Sequence, residues 1–197
     1  MKPEENAPRT LLDLSSIEAK EFLLKEERYR NFDLPEYFKF QFLLKKLDEK
    51  KDLCNIDGIK EVKQPNYNIL TNKDGKYAWR NFELIHPVIY ISLVQQIEKS
   101  WEKITNRFKG FQENEKIQCY SIPVVPNEGE KQKAAQVGKW WKKIEQQSIS
   151  LALKYRYMMK TDITNFYGSI YTHSVPWAIH GKKFAKKIKI IKNLLEI

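Results

Sequence analysis

The chain has 197 residues, 42% of them hydrophobic and 13% aromatic, which suits one domain with or without an appended piece and excludes a disordered polymer. It carries a net charge of +10, two isolated cysteines and no apolar run of the roughly 18 residues that a membrane span needs. MKPEENAPRT lacks the apolar core of a secretory signal, so a reducing cytoplasm is expected, without membrane partner, disulfide framework or zinc cluster. The charge is uneven. Residues 131–197 hold 14 Lys and Arg against Glu145, Asp162 and Glu196, a net of +11, whereas residues 1–130 hold 21 bases and 22 acids. Lysines alternating with Trp140, Trp141, Tyr155, Tyr157 and Trp177 favour a polyanion partner over a merely solvated face.

In chain order, Ser15 or Ser16 is expected to cap a first helix through about Tyr29. Asp33 with Pro35 is expected to open a second, LPEYFKFQFLLKKL. Residues 49–65 read as a charged loop. NYNILTNKDGKYAWRNFELI alternates apolar and polar residues around Asp74-Gly75, a hairpin signal. Pro87 starts a long helix whose Tyr90, Val94, Ile97, Trp101, Ile104 and Phe108 share one face, read as core packing rather than a partner stripe.

KIQCYSIPVV is a short strand candidate, followed by the polar tip PNEGEKQK. Val137, Trp140, Trp141, Ile144, Leu151 and Tyr155 predict another amphipathic helix, with Gly138 a weak point in its first turn. YMMKTDI reads as a mostly apolar strand. Ser174 and Pro176 predict the cap and first turn of a helix through HGKKFAKK. Helices first, then strands and helices mixed, give an α+β fold class, with α/β the other option. No GxGxxG or GxxxxGK[ST] phosphate loop occurs.

The chemistry centres on KTDITNFYGSIYTHS, Lys160–Ser174, which places Asp162 at the exit of the expected strand. A buried acid there is costly unless it is paired or binds a metal. An Asp capping the turn into the next helix is the competing reading. Phe166 and Tyr167, four and five residues on, would give the carboxylate a shaped, partly dry neighbour. The histidines offer less. His173 and His180 are seven apart, no H-E-x-x-H or Cys/His spacing is present, and His86 before Pro87 reads as a loop or cap residue.

Asp162-Ile163-Thr164-Asn165-Phe166-Tyr167-Gly168-Ser169-Ile170 resembles the first palm motif of reverse transcriptases. The wider blocks RNFELIHPVIY, KQKAAQVGKWWKKIEQ and YRYMMKTDITNFYGSIYTHSVPWAIHGK resemble bacterial retron-like and abortive-infection reverse transcriptases, over about residues 20–187. The resemblance implies right-hand polymerase fingers and a partial palm. It also implies a site for two Mg²⁺ ions held in part by Asp162 and the Ile163 carbonyl. Asn165 and Phe166 would lie near the triphosphate of a deoxynucleotide, and Tyr167 beneath its sugar, where a 2′-hydroxyl would clash. Lys131 and Lys133 are candidates for triphosphate contacts by position and charge. Lys139, Trp140, Lys142 and Lys143 are candidates for the RNA or DNA template-primer. Arg80 and Arg107 are unassigned basic possibilities.

The chain departs from that family in one respect. Asp-Asp occurs nowhere, so the second acidic pair of such enzymes, usually in Tyr-x-Asp-Asp, is lacking, and the chain alone is expected to be inactive. FAKKIKIIKNLLEI turns into a Lys, Ile and Asn texture that reads as a frameshift or premature stop, against the alternative of a basic amphipathic tail. The expected organisation is a helical N-terminal extension (1–60), a fingers-like region (61–155), the start of a palm (156–187) and an atypical basic tail (188–197). The expected function is RNA-directed DNA synthesis in anti-phage defence. A non-catalytic nucleic-acid-binding or complex-forming fragment is the alternative, and oligomerisation is left open.

Overall fold

The computed structural model describes residues 9–30, 32, 34–50, 63–72, 75–76, 79–112, 118–126, 132–163, 166–171 and 173–187. It is a mixed α+β chain of short and long helices with a single two-stranded sheet among the described residues. It divides into two units, Asp13–Glu102 and Met1–Leu12 with Lys103–Ile197.

In Asp13–Glu102 the sequence rules act cleanly at the first helix start. Helix α1, Ser16–Leu23, is capped by Ser15: its hydroxyl accepts from the Glu18 N–H, and Glu18 returns a carboxylate to the Ser15 N–H. This reciprocal box satisfies two donors that the first turn otherwise leaves open. The expected helix to Tyr29 is, however, broken. Leu24 caps α1, Lys25 is extended, and a single turn α2, Glu26–Tyr29, follows.

The break is held by a long-range exchange. The Glu26 carboxylate accepts from the Phe40 and Gln41 N–H groups, while the Gln41 amide accepts from the Glu26 N–H and donates to the Leu24 carbonyl. Each residue thereby caps the other's helix. The exchange also places the start of α3, Gln41–Asp48, at Gln41, seven residues after the expected Leu34 start. Phe40, freed from the helix, packs edge-on against Tyr29 at 5.1 Å.

Strands β1, Tyr67–Asn72, and β2, Trp79–Leu84, pair antiparallel with Tyr67 opposite Leu84 and Asn72 opposite Trp79. The hairpin is where the alternation put it. Asp74 lies outside the described residues, but Gly75 takes a positive φ of 77° that suits glycine, and its N–H donates to Asn72 Oδ1. Helix α4, Pro87–Lys99, has Pro87 in its first turn and His86 at its N-cap, whose Nδ1 accepts from the Val88 N–H. That is the cap role expected for His86. Ser100 interrupts the helix, and α5, Trp101–Gln112, continues beyond it.

The core of this unit joins Leu24, Tyr29, Leu44, Tyr90, Ile91 and Val94. Its aromatic rings are buried with their polar tips satisfied, as burial demands. Tyr29 donates to the Ile85 carbonyl, Tyr90 to the Leu23 carbonyl and Trp101 Nε1 to the Leu14 carbonyl. Burial pushes both tyrosine hydroxyls up from 10.0 to about 12. At the rim, the Lys20 ammonium from α1 bridges Asp48 of α3 and Glu98 of α4, each at 3.1 Å. Burial works against its charge, but the two carboxylates outweigh that and hold Lys20 above its ordinary range. The expected core stripe is therefore real over Tyr90, Val94 and Trp101, while Phe108 at its far end is exposed.

The second unit has less regular order and a thinner interior. Thr10 and Val124 form an isolated antiparallel bridge, extended by Leu11 N–H to the Pro123 carbonyl and Val125 N–H to the Arg9 carbonyl. That bridge is all that remains of the expected strand in KIQCYSIPVV among the described residues. Helix α6, Gln132–Lys154, runs 23 residues. After a single turn α7, Phe166–Ser169, comes α8, Ser174–His180. His173, not Ser174, stands at the N-cap of α8, and the Ser174 hydroxyl turns back to the Tyr171 carbonyl. Gly181, at φ 81°, ends α8 and separates it from a short helix α9 over 182–187, so the expected continuous helix through HGKKFAKK is cut in two.

Candidate nucleotide and nucleic-acid site

Apart from the unassigned Arg80 and Arg107, the residues singled out for chemistry fall between Lys131 and Tyr167, within the second unit. Lys131 and Asn165 lie outside the described residues. Lys133 belongs to the first turn of α6 and Tyr167 to α7.

Residues 155–163, which include the expected strand YMMKTDI, form no strand, and all of them are exposed. A strand needs a neighbour to satisfy its N–H and C=O groups, and among the described residues no ladder lies beside this segment. Asp162 is accordingly on an open segment rather than at the exit of a buried strand. Its Oδ1 accepts from the Ile163 N–H at 2.8 Å, and among the described residues it has no ion-pair partner. One carboxylate oxygen is thus engaged by the next residue's N–H, while the other remains open to solvent or ligand. Ile163 and Phe166 are exposed beside it.

Cations and rings pair along this part of the chain. Lys154 lies over Tyr155 at 5.6 Å, Arg156 over Tyr157 at 5.8 Å and Lys182 over Trp177 at 4.9 Å. Tyr171, His173 and Trp177 form a ring cluster, with Tyr171 and His173 stacked at 4.8 Å. Arg107, unassigned from sequence, acts as a tether, and its Nε donates to the Ala178 carbonyl at 3.0 Å. The Lys103 ammonium reaches His180 Nδ1 at 2.8 Å, so these two α5 side chains tie down α8. Arg80 sits in β2, its guanidinium over the Phe82 ring.

On α6, Lys142 and Lys143 are exposed and Lys139 is half-buried. The adjacent tryptophans split their duties, as residues 100° apart on a helix must. Trp140 is half-buried and its Nε1 donates to the Ile122 carbonyl at 3.2 Å, which fixes the ring. Trp141 is 68% exposed. Both line a groove of about 400 Å³, with Ile144 on the same helix and Gln118, Cys119, Tyr120 and Ser121 opposite. Sequence reasoning picked Trp140 as the contact residue, whereas Trp141 presents the freer face. The Trp-Trp pair was a visible signal, but only the Ile122 carbonyl reveals which ring is the anchor.

The described residues bring Asp162, Ile163 and Phe166 into one short segment and set Lys139, Lys142 and Lys143 on one helix. They hold no cluster of three or more His, Cys, Asp or Glu that could take a metal ion. No described helix is long and apolar enough to cross a membrane. No protein-family model matches the chain, and no curated protein matches it.

Proposed function

We propose that residues 131–187 are the nucleotide- and nucleic-acid-facing part of an RNA-directed DNA polymerase of the reverse transcriptase type, serving anti-phage defence. The observation that carries this reading is the state of Asp162. In a segment with a net charge of +11, its carboxylate is exposed and, among the described residues, unpaired. It is the one acid between Glu145 and Glu196 in this basic stretch, and it keeps its charge available to a ligand. Left open in the stretch that carries Phe166 and Tyr167 four and five residues on, it supports a role toward a ligand, with Tyr167 as the residue that would read the sugar.

The donor set does not fit two Mg²⁺ ions. Hard divalent ions want several oxygen ligands, and this segment offers one carboxylate and a backbone carbonyl. Metal chemistry therefore enters only if a second acidic pair comes from outside the chain. That shortfall favours a second reading, a non-catalytic fragment that uses the basic region to bind nucleic acid.

The test starts with the DNA beyond codon 197. A Tyr-x-Asp-Asp coding segment in any frame favours the polymerase. In the polypeptide extended through it, Asp162→Ala should abolish deoxynucleotide incorporation while helical content persists. Tyr167→Val should admit ribonucleotides. Incorporation that survives Asp162→Ala refutes the assignment.

A further inference from the structure

We infer that the groove between α6 and residues 118–121 takes one unpaired base of a single-stranded nucleic acid, stacked on Trp141. This deepens the nucleic-acid reading above and rests on it. Three features of the groove carry the inference.

The first is the ring. Trp141 leaves about two thirds of its surface in water although its neighbour Trp140 is anchored to the Ile122 carbonyl. The groove floor is thus held while the exposed indole stands as a platform. Stacking of bases on such rings is tolerant of sequence.

The second is size and edge chemistry. A volume of about 400 Å³ suits a small aromatic group rather than a helix or strand of a partner. The rim is polar. Tyr120 donates to the Gln118 amide oxygen, which leaves the Gln118 NH₂ for a base carbonyl, and the Ser121 hydroxyl sits 3.3 Å from Cys119 Sγ.

The third is charge complementarity along α6. At 100° per residue, Lys143 borders the groove-facing positions 140, 141 and 144 on one flank and Glu145 on the other, while Lys139 and Lys142 lie further round on either side. A base seated in the groove therefore has its phosphates within reach of cations on both sides and attracted most directly to the Lys143 flank, away from Glu145.

Cys119 reports on the groove directly, being exposed and reduced at its edge. The full 197-residue chain is prepared with Cys54→Ser, which leaves Cys119 as the sole thiol. Its maleimide reaction is timed alone, with a 12-nucleotide deoxythymidine strand, and with a strand of equal length and charge lacking bases. The base-bearing strand should slow the reaction by about tenfold or more, and the abasic strand should bind but leave the rate unchanged. Trp141→Ala should weaken the base-bearing strand by about tenfold, and Trp141→Phe should recover most of that. Strand binding that is indifferent to Trp141→Ala and leaves Cys119 reactive overturns the groove assignment while the nucleic-acid reading stands. A strand that does not bind overturns both. Protection of Cys119 by an apolar peptide, but not by the strand, would assign the groove to a protein partner and overturn the inference.

Discussion

Residues 13–102 and residues 132–187 are both rich in large apolar side chains, yet they spend them differently. In the first, Leu44, Ile91 and Val94 are fully buried and α1, α3 and α4 close around them. In the second, Trp141, Leu153, Tyr157 and Met159 stand 68–87% exposed. Each exposed side chain forgoes the roughly 1.5–3 kcal/mol that burial would contribute. Residues 13–102 also expose Tyr37 and Phe42, but they offset this with a buried core, whereas no described residue of 132–187 is buried. A body that closes its own core needs nothing further for stability. A surface of rings interleaved with lysines suits ligands that are flat and negatively charged.

The sharpest break of that contrast comes from truncating side chains on either side of it. Ile91→Ala should destabilise Asp13–Glu102 by about 2–5 kcal/mol, read from chemical unfolding followed by circular dichroism. Leu153→Ala, on the open helix, should change the stability of its own unit by no more than about 0.5 kcal/mol. Equal losses would mean that Leu153 is packed in solution and that the contrast is not real.

Alkaline titration sharpens the same comparison with a smaller effect. Burial raises Tyr29 and Tyr90 from 10.0 to about 12, so the folded state holds their protons more tightly than the unfolded state does. Stability is then complete below pH 10 and falls as pH climbs toward 12. Lys20 acts in the same direction. Burial opposes its charge, but Asp48 and Glu98 raise it, so its contribution is present below about 10.4 and is lost as pH rises through its folded value. Tyrosinate absorbance should therefore show a late step, from Tyr29 and Tyr90, that coincides with loss of helical signal. A single step near 10 for all tyrosines would contradict the buried pair.

How much of this was legible beforehand follows the range of the interactions. The Ser15 cap, the His86–Pro87 helix start and the hairpin are local, set by neighbours within a few residues, and the pattern placed them correctly. The break after Leu23 was illegible because its cause, the Glu26–Gln41 exchange, spans 15 residues. The strand expected before Asp162 failed for the opposite reason. YMMKTDI has the apolar composition of a strand, but composition does not supply a pairing partner. At the candidate site, Asp162 and the basic stretch were visible as residue types, whereas the choice between Trp140 and Trp141 needed a carbonyl 18 residues away.

The central claim is that the basic last third of the chain engages nucleic acid around an uncommitted Asp162. The most direct measurement is the affinity of the purified chain for a labelled single strand as salt is raised, for the native sequence and for Asp162→Asn. Log affinity should fall steeply with log salt, by about 0.7 per phosphate neutralised, with the slope kept in Asp162→Asn. A flat salt profile, or no binding at low salt, would contradict it.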